Sequence, residues 1–309
     1  MNIIYFGSSE FSLTILENLC LSGFNPKLVI SLPDKPKGRG LKPYPTDISL
    51  FAKKINIPLI KPPSLKTNGI KENLTSKLPD LFIIADYGKI LPASLLSIPA
   101  IASLGVHPSI LPLYRGPAPI NWALLNGDKE TGVTIFKMDE GLDTGDIILQ
   151  KKIAVLDLDN TLTLHEKLAH EGAKLLIESL NMLKRGGLSP VPQDKILSSF
   201  APKLQKKDGK IAWQDNAINI HNKIRAMLGW PSAYTFYKGK MIKITEADVI
   251  CAAAEAKPSA IEAIKKDGIY VATGSGTLRI KRLKPEGKKE MDAYAFVLGH
   301  RLKAGDKFD

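Results

Sequence analysis

The sequence has few cysteines and no long apolar run, and both absences restrict what the protein can be. Among its 309 residues only Cys20 and Cys251 are cysteines, and neither belongs to a C-x-x-C pair. No structural disulfide or zinc site is therefore expected, and both thiols are predicted to lie in the core. No apolar stretch reaches the roughly 18 residues of a membrane span. The N-terminal MNIIYFGSSEF lacks the basic region and cleavage site of a signal peptide, so we expect a cytoplasmic protein.

Common cofactor signatures are also missing. The GSSEF segment after the first apolar run lacks the other glycines of a dinucleotide fingerprint, and no P-loop occurs. The lone Gly274-x-Gly276 is predicted to be a hairpin turn. In HEKLAH, His165 and His170 are five positions apart, and at roughly 100° per residue they lie on different faces of a helix. No metal is therefore expected there.

Positive charge is abundant, with a formal net charge of +12. Residues 207–309 hold 19 Lys/Arg against 12 Asp/Glu, so more than half of the excess lies in the last third of the chain. This balance favours a polyanionic partner such as nucleic acid. A basic, solvated surface without a partner is the alternative.

The first two-thirds of the chain alternate strand-like and helix-like runs. Apolar runs at 2–6, 27–31, 80–85 and 103–107 are typical of buried strands, and residues 9–23 and 161–184 have helical spacing. The alternation predicts an α/β fold, a Rossmann-like and mostly parallel sheet with helices on both faces.

Residues 185–210 are rich in Gly, Pro and Ser, and after them come a helix at 215–228 and short strands joined by turns. These predict a small C-terminal β-barrel (OB-like) domain. The predicted division is 1–189 for the first domain, 190–206 for the linker and 207–309 for the second domain.

His107 is the most informative single residue, because it stands at the end of a predicted strand. Ligands of parallel α/β sheets bind at the carboxyl ends of strands. The later segment MDEGLDTGD, at 138–146, carries Asp139, Asp143 and Asp146 in a glycine-shaped loop. A histidine and a carboxylate at neighbouring strand ends could form an acid–base pair. An ordinary capped loop is equally compatible with this spacing.

Long segments in order resemble the folate-dependent formyltransferases. VHPSILPLYRGPAPINWALLNGDKETGVTIFKMDEGLDTGDIILQ is similar to the family's core motif, and NIIYFGSSEFSLTILENL, DLFIIADYGKILP and LKPEGKKEMDAYAFVLGHRLKAGDKF resemble its other segments. The resemblance covers nearly the whole chain and is greatest to the members that act on methionyl-tRNA. It implies that 10-formyltetrahydrofolate donates a formyl group to the α-amine of initiator methionyl-tRNA, in translation initiation and without a metal.

The resemblance also implies a catalytic Asn, His and Asp. His107 and Asp143 match the second and third, but Gly105 stands where the family usually has the asparagine. Losing one donor to a developing oxyanion costs about 10²–10³ in rate. Three alternatives stay open: a backbone N–H or a water fills the gap, another amide such as Asn121 substitutes, or activity is weak.

The resemblance further implies two binding regions. A basic loop, PDKPKGRGLK at 33–42, would contact tRNA together with cations of a C-terminal strand, which are predicted to hold phosphates without reading sequence. The alternative functions are those of a sugar N-formyltransferase, a non-catalytic RNA-binding relative and, more distantly, a dehydrogenase. We expect the protein to be a monomer. The residues expected to contact folate are Tyr87, Ile90, Leu91, Ser109, Ile110, Leu111 and Pro112, and those expected to contact tRNA are Lys37, Arg39, Lys42, Arg279, Lys281 and Arg282.

Overall fold

A computed structural model describes residues 1–37, 42–250 and 256–309. The chain forms two compact units: Met1–Pro119, Glu130–Ala154 and His165–Pro202 in the first, and Ile120–Lys129, Val155–Leu164 and Lys203–Asp309 in the second. The strands are β1 (Ile3–Gly7), β2 (Leu28–Ile30), β3 (Lys35–Lys37), β4 (Lys42–Tyr44), β5 (Leu59–Ile60), β6 (Leu81–Ala85), β7 (Ala102–His107), β8 (Glu130–Lys137), β9 (Ile147–Ala154), β10 (Ala233–Tyr237), β11 (Lys240–Ile250), β12 (Ile261–Lys265), β13 (Gly268–Ala272), β14 (Thr277–Pro285) and β15 (Met291–Asp292). The helices are α1 (Glu10–Leu21), α2 (Asp47–Lys54), α3 (Ile70–Thr75), α4 (Ala93–Leu96), α5 (Pro119–Asn126), α6 (Thr161–Lys184), α7 (Ala217–Ala226) and α8 (Ala293–His300).

The first unit is built on a seven-stranded sheet in the order β5-β2-β1-β6-β7-β8-β9. The five strands from β5 to β7 pair in parallel, and β8 and β9 add an antiparallel edge. The predicted mostly parallel, Rossmann-like sheet is therefore confirmed, and the strands expected near 2–6, 27–31, 80–85 and 103–107 are β1, β2, β6 and β7.

Helices cover both faces of this sheet. Successive side chains of a strand point to opposite faces, so inner strands of the sheet pack against helices on both sides. Phe6 and Phe82 point to one face, where their rings lie 5.0 Å apart in a core shared with Leu74 of α3 and Leu95 of α4. On the other face, the Tyr5 hydroxyl donates to the Ser12 carbonyl of α1.

The helix α6 packs closely on that second face through Gly172. A Cβ built there would lie 3.2 Å from Val106 of β7 and 3.3 Å from Val133 of β8. Glycine therefore lets the helix approach the two strands that flank the candidate site. The bounds of α6 match the predicted helix at 161–184, and α1 begins after a capping box formed by Ser9 and Ser12.

The second unit contains an antiparallel sheet in the order β10-β11-β14-β13-β12, with β15 added beside β14. Gly276, with φ +81, lies in the turn between β13 and β14, which confirms the predicted hairpin. The helix expected at 215–228 is α7. An antiparallel C-terminal domain is thus confirmed, whereas the boundaries 1–189, 190–206 and 207–309 stay a prediction.

Two further observations concern the cysteine and membrane predictions. Cys20 is a free, half-buried thiol, and burial raises its pKa to about 11; Cys251 lies outside the described residues. In the part of the chain that the structure describes, no helix combines the length and the apolar character needed to cross a membrane.

Candidate active site

The site begins at His107, the last residue of β7. The side chain is buried, with 6% of its surface exposed. Its strand lies between β6, which runs parallel, and β8, which runs antiparallel. His107 therefore lies at the carboxyl end of a strand, as predicted, and that strand is an inner strand of the sheet.

Both ring nitrogens of His107 face protein oxygens. Nε2 lies 2.9 Å from the Tyr114 carbonyl oxygen, and Nδ1 lies 3.6 Å from Oδ2 of Asp143. A carbonyl oxygen can only accept, so the hydrogen bond requires a proton on Nε2. Nδ1 is then the nitrogen that can exchange a proton with the carboxylate. A movement of less than 1 Å would convert this ion-pair contact into a hydrogen bond.

Asp143 lies in the loop between β8 and β9, and a backbone donor fixes its carboxylate. Oδ2 accepts from the N–H of Gly116 at 2.8 Å. Asp143 has φ 54, and Tyr114 has φ 59, so both residues that face the imidazole adopt the left-handed conformation. That conformation costs a non-glycine residue roughly 1–2 kcal/mol, which the surrounding contacts must offset.

Asp139 and Gly145, two other residues of this loop, form its turn. Oδ1 of Asp139 accepts from the N–H of Gly141 and from the Thr144 hydroxyl. A Cβ at Gly145 would overlap the Lys137 carbonyl, so only glycine fits there. Of the three candidate carboxylates, the structure therefore brings Asp143 to His107 and uses Asp139 to close the turn.

The phenyl ring of Phe136 fills the space beside Gly105. These residues are opposite each other in the β7–β8 pair, and a Cβ at Gly105 would overlap the ring. The same ring meets the His107 imidazole edge-on, with centroids 6.5 Å apart. The sequence shows that the asparagine is absent at 105, but it does not show that Phe136 occupies the space, because the antiparallel register of β8 has no local signal.

The suggestion that Asn121 supplies the missing amide is not supported. Its Nδ2 donates to the Ala226 carbonyl at 2.7 Å, within the second unit. The Thr161 hydroxyl also donates to this carbonyl. The amide of Asn121 therefore joins α5 to the end of α7.

The loop after His107 is held rigid by its own polar groups. The Ser109 hydroxyl donates to the Leu113 carbonyl, and the Thr134 hydroxyl donates to the Ser109 carbonyl. Ser109 and Leu111 are buried, whereas Ile110 and Pro112 are partly exposed. Of the folate residues predicted here, the last two have side-chain surface available to a ligand.

The loop after β6 lies beside it, because β6 and β7 are adjacent and parallel. Ile90 is 82% exposed, whereas Tyr87 and Leu91 are buried in the core. Burial raises the pKa of Tyr87 to about 12, and its hydroxyl has no hydrogen-bond partner among the described residues. Ile90 is thus the accessible member of this predicted group.

The predicted tRNA-contacting residues fall into two groups. Lys37 and Lys42 are opposite each other in the β3–β4 hairpin, and Arg39 lies outside the described residues. The second group lies on β14, where each cation has a carboxylate partner. Arg279 pairs with Asp248 and Asp267, Lys281 with Glu246 and Asp248, and Arg282 with Glu290. The shared partner Asp248 shows that Arg279 and Lys281 project on one face of the sheet, but their charges are largely compensated.

The histidines of HEKLAH do not form a metal site. His165 packs edge-on against Phe11, and burial lowers its pKa, while His170 is exposed. In the described ranges, no group of three or more His, Cys, Asp or Glu side chains is arranged to hold a metal ion.

The chain is similar to known formyltransferases over nearly its whole length. Residues 1–180 match the family model described as formyl transferase, and residues 203–301 match the formyl transferase C-terminal domain. A methionyl-tRNA formyltransferase of Thermodesulfovibrio yellowstonii is 43% identical over 98% of this chain and 97% of the relative. One of Dictyoglomus turgidum is 44% identical over 100% of this chain and 99% of the relative.

A solved structure shows the same fold at low identity. It is an N-formyltransferase of Helicobacter canadensis in complex with folinic acid and dTDP-3-aminofucose. The TM-score is 0.68 at 20% identity, over 91% of this chain and 98% of the other. The fold of this chain is therefore found in solved structures.

Proposed function

The chain belongs to the formyl transferase family, and from this membership we propose that it transfers a formyl group from 10-formyltetrahydrofolate to initiator methionyl-tRNA. The product is N-formylmethionyl-tRNA, used in translation initiation. Relatives with this activity in their names match at 43% and 44% identity over nearly the full chain. The observation that carries the residue assignment is the contact between His107 and Asp143 at the carboxyl edge of the sheet.

The residues around this edge fit a folate. The loops after β6 and β7 lie side by side, where ligands of such sheets bind. They offer the apolar side chains of Ile90, Ile110 and Pro112 as a wall for a flat ring, and the loop at 109–113 is fixed by hydrogen bonds. When bound, 10-formyltetrahydrofolate supplies the formyl carbon.

The reaction exchanges one carbon–nitrogen bond for another. The free α-amine of methionine forms a bond to the formyl carbon, the bond from that carbon to N10 of the folate breaks, and one proton moves from the amine to N10. An α-amine has a pKa of roughly 7.7–8, and an ester neighbour lowers it. The free amine is therefore accessible near neutral pH, and the protein need not supply a strong base.

His107 and Asp143 then have complementary roles. With Nε2 donating to Tyr114, a protonated Nδ1 makes the ring a cation that stabilises negative charge on the formyl oxygen. Asp143 lies 3.6 Å from Nδ1, holds the imidazole and accepts the amine's proton, directly or through a water. Gly116 keeps that carboxylate in place.

A formylation assay tests this assignment. His107→Ala and Asp143→Ala should each lower kcat by about 100-fold or more, measured at a temperature at which both variants remain folded. His170→Ala, an exposed histidine on α6, is the matched control and should retain full activity. Turnover of methionyl-tRNA by His107→Ala at the wild-type rate would refute the role of the imidazole.

The substrate arm of the assay distinguishes the sugar N-formyltransferases. Their fold is shared at 20% identity, which supports the architecture alone. Wild-type protein is supplied with the folate donor and either methionyl-tRNA or a dTDP-linked amino sugar. We expect formylation of the tRNA only; a preference for the sugar would overturn the proposed substrate.

Three further points belong to the proposal. We expect a monomer in the cytoplasm, where translation takes place. We expect the β3–β4 hairpin, including Lys37, Arg39 and Lys42, to contact tRNA phosphates. The cations of β14 must leave their carboxylate partners before they bind phosphate, so their contribution should be smaller.

A further inference from the structure

The residues after α6 run beside both loops of the candidate site. Val191 exchanges two hydrogen bonds of 2.8 Å with Ile147, at the end of the Asp143 loop. Ser199 accepts from the Arg115 N–H at 2.9 Å, and Ala201 donates to the Arg115 carbonyl at 2.7 Å. This segment therefore connects the loop that follows His107 with the loop that carries Asp143.

Gln193 makes the central contact of this connection. Its side chain is buried, and its Nε2 donates to the carbonyl oxygens of Asp143 at 2.9 Å and Gly145 at 2.7 Å. Its Oε1 accepts from Nε of Arg115 at 3.1 Å and from Nη2 at 2.7 Å. All hydrogen-bonding positions of the amide are thus used.

The chemistry of the partners fixes the orientation of this amide. A guanidinium can only donate and a carbonyl oxygen can only accept, so the oxygen must face Arg115 and the nitrogen must face the loop. Arg115 is itself buried, and a buried guanidinium is stable only when its donors are satisfied. Arg115 therefore keeps the Gln193 amide in the one orientation in which its nitrogen donates to the loop that carries Asp143.

These hydrogen bonds hold Asp143, the residue that faces the His107 imidazole. Gln193 holds the Asp143 carbonyl, and the neighbour of Arg115, Gly116, holds the Asp143 carboxylate. Asp143 is kept at φ 54 between these two contacts. Without them, relaxation of its backbone would turn Oδ2 away from Nδ1 of His107.

We propose that Gln193 is a positioning residue for formyl transfer: oriented by Arg115, it holds the backbone of Asp143 so that the carboxylate faces His107. This inference rests on the proposed function, because Asp143 must act in the reaction. It concerns a residue in the stretch that the sequence pattern indicates to be a linker.

The test is a double-mutant cycle on the full-length protein. Gln193→Met keeps the length of the side chain and removes its hydrogen bonds. It should lower kcat about 10- to 100-fold, since an error of about 1 Å in placing a reacting group has an effect of this size. KM for the folate and for methionyl-tRNA should change less than about two-fold. Gln214→Met, at an exposed glutamine, is the matched control and should behave as the wild type.

The Asp143→Ala background separates positioning from general damage. If Gln193 acts through Asp143, Gln193→Met causes no further loss in kcat once the carboxylate is gone. An equal loss in both backgrounds, or a loss that appears only in KM, would overturn the proposal. Gln193→Glu is a second variant: it keeps an acceptor for Arg115 but turns an oxygen toward the two loop carbonyls, so it should lose kcat as well.

A readout independent of turnover uses the imidazole itself. The ¹⁵N resonances of the His107 ring report which nitrogen carries a proton. Gln193→Met should move the Nδ1 resonance in the same direction as Asp143→Ala, and Gln214→Met should leave it unchanged. Unmoved resonances in Gln193→Met would refute positioning, whereas a wild-type protein that formylates no methionyl-tRNA would refute the proposed function instead.

Discussion

At position 105, the lack of a side chain is matched by a large ring on the neighbouring strand. Phe136 occupies the volume that a Cβ would need, and its ring also meets the His107 imidazole. Glycine and phenylalanine therefore form a complementary pair. An asparagine at 105, which the resemblance implies, could not enter this strand pair unless the Phe136 ring moved.

We expect Gly105→Asn to destabilise the protein by about 1–3 kcal/mol, because the new side chain overlaps a buried ring. It should bring no gain in kcat. Gly105→Asn combined with Phe136→Leu, which removes the overlapping ring atoms, should recover most of the stability. Its kcat should exceed that of Phe136→Leu alone, since the amide adds a donor beside His107. Denaturant unfolding and formylation kinetics measure both effects; a stable, faster Gly105→Asn single variant would contradict the pairing.

Tyr87 provides a prediction about pH. Burial raises its folded-state pKa from 10.0 to about 12, so folding favours the protonated phenol. The stability that depends on this proton is complete below pH 10 and is lost as the pH rises toward 12. The wild type should therefore lose up to about 2 kcal/mol more than Tyr87→Phe across this range. Below pH 10, removal of the unpartnered hydroxyl should be neutral or slightly stabilising. Parallel stability curves for the two proteins would contradict this.

At the scale of elements, the cations on β14 already have carboxylate partners, so a tRNA phosphate must compete for them. The cations of β14 are paired with carboxylates on β11 and nearby turns, whereas the β3–β4 hairpin places Lys37 opposite Lys42. Breaking an ion pair to bind a phosphate exchanges one favourable contact for another. The β14 cations should therefore contribute little to the electrostatic part of tRNA binding.

The salt dependence of tRNA affinity measures this difference. Each phosphate contact contributes a slope of about −0.7 to −0.9 in log K against log salt. Replacing Lys37, Arg39 and Lys42 by Gln should reduce the magnitude of the slope by about 2. Replacing Arg279, Lys281 and Arg282 by Gln should reduce it by less than about 1. A larger effect from the β14 variant would show that its ion pairs open readily.

Elements with local signals could be predicted from the sequence, and contacts between distant segments could not. The bounds of α6 follow from helical periodicity, and His107 was placed at a strand end by a short apolar run. The partners of the site depend on register and on returning segments. Phe136 faces Gly105 only because β8 pairs antiparallel to β7, and Gln193 reaches Asp143 across 50 positions of sequence. No local pattern marks either residue.

At the scale of the whole molecule, the second unit is assembled from three stretches of chain. Residues 120–129 and 155–164 belong to it together with 203–309. Nη1 of Arg225 on α7 donates to the carbonyls of Leu156 and Asp159, and Asn121 donates to Ala226. Burial lowers the pKa of Arg225, and its Nε has no partner among the residues described. The end of α7 therefore depends on segments that precede it by about sixty residues or more.

This arrangement yields a test of the boundary predicted at residue 207. A fragment of residues 203–309 lacks the two earlier stretches, so it loses the carbonyl acceptors of Arg225 Nη1 and the donors to the Ala226 carbonyl. We expect it to be markedly less stable than the same unit in the full chain, with fast amide exchange in α7. Arg225→Met in the full chain should show part of this effect, because it removes the bonds to residues 156–159 while the bonds to the Ala226 carbonyl remain. Full exchange protection of α7 in the isolated fragment would instead mean that 207–309 folds as an independent domain and that the bonds from 120–129 and 155–164 contribute little to its stability.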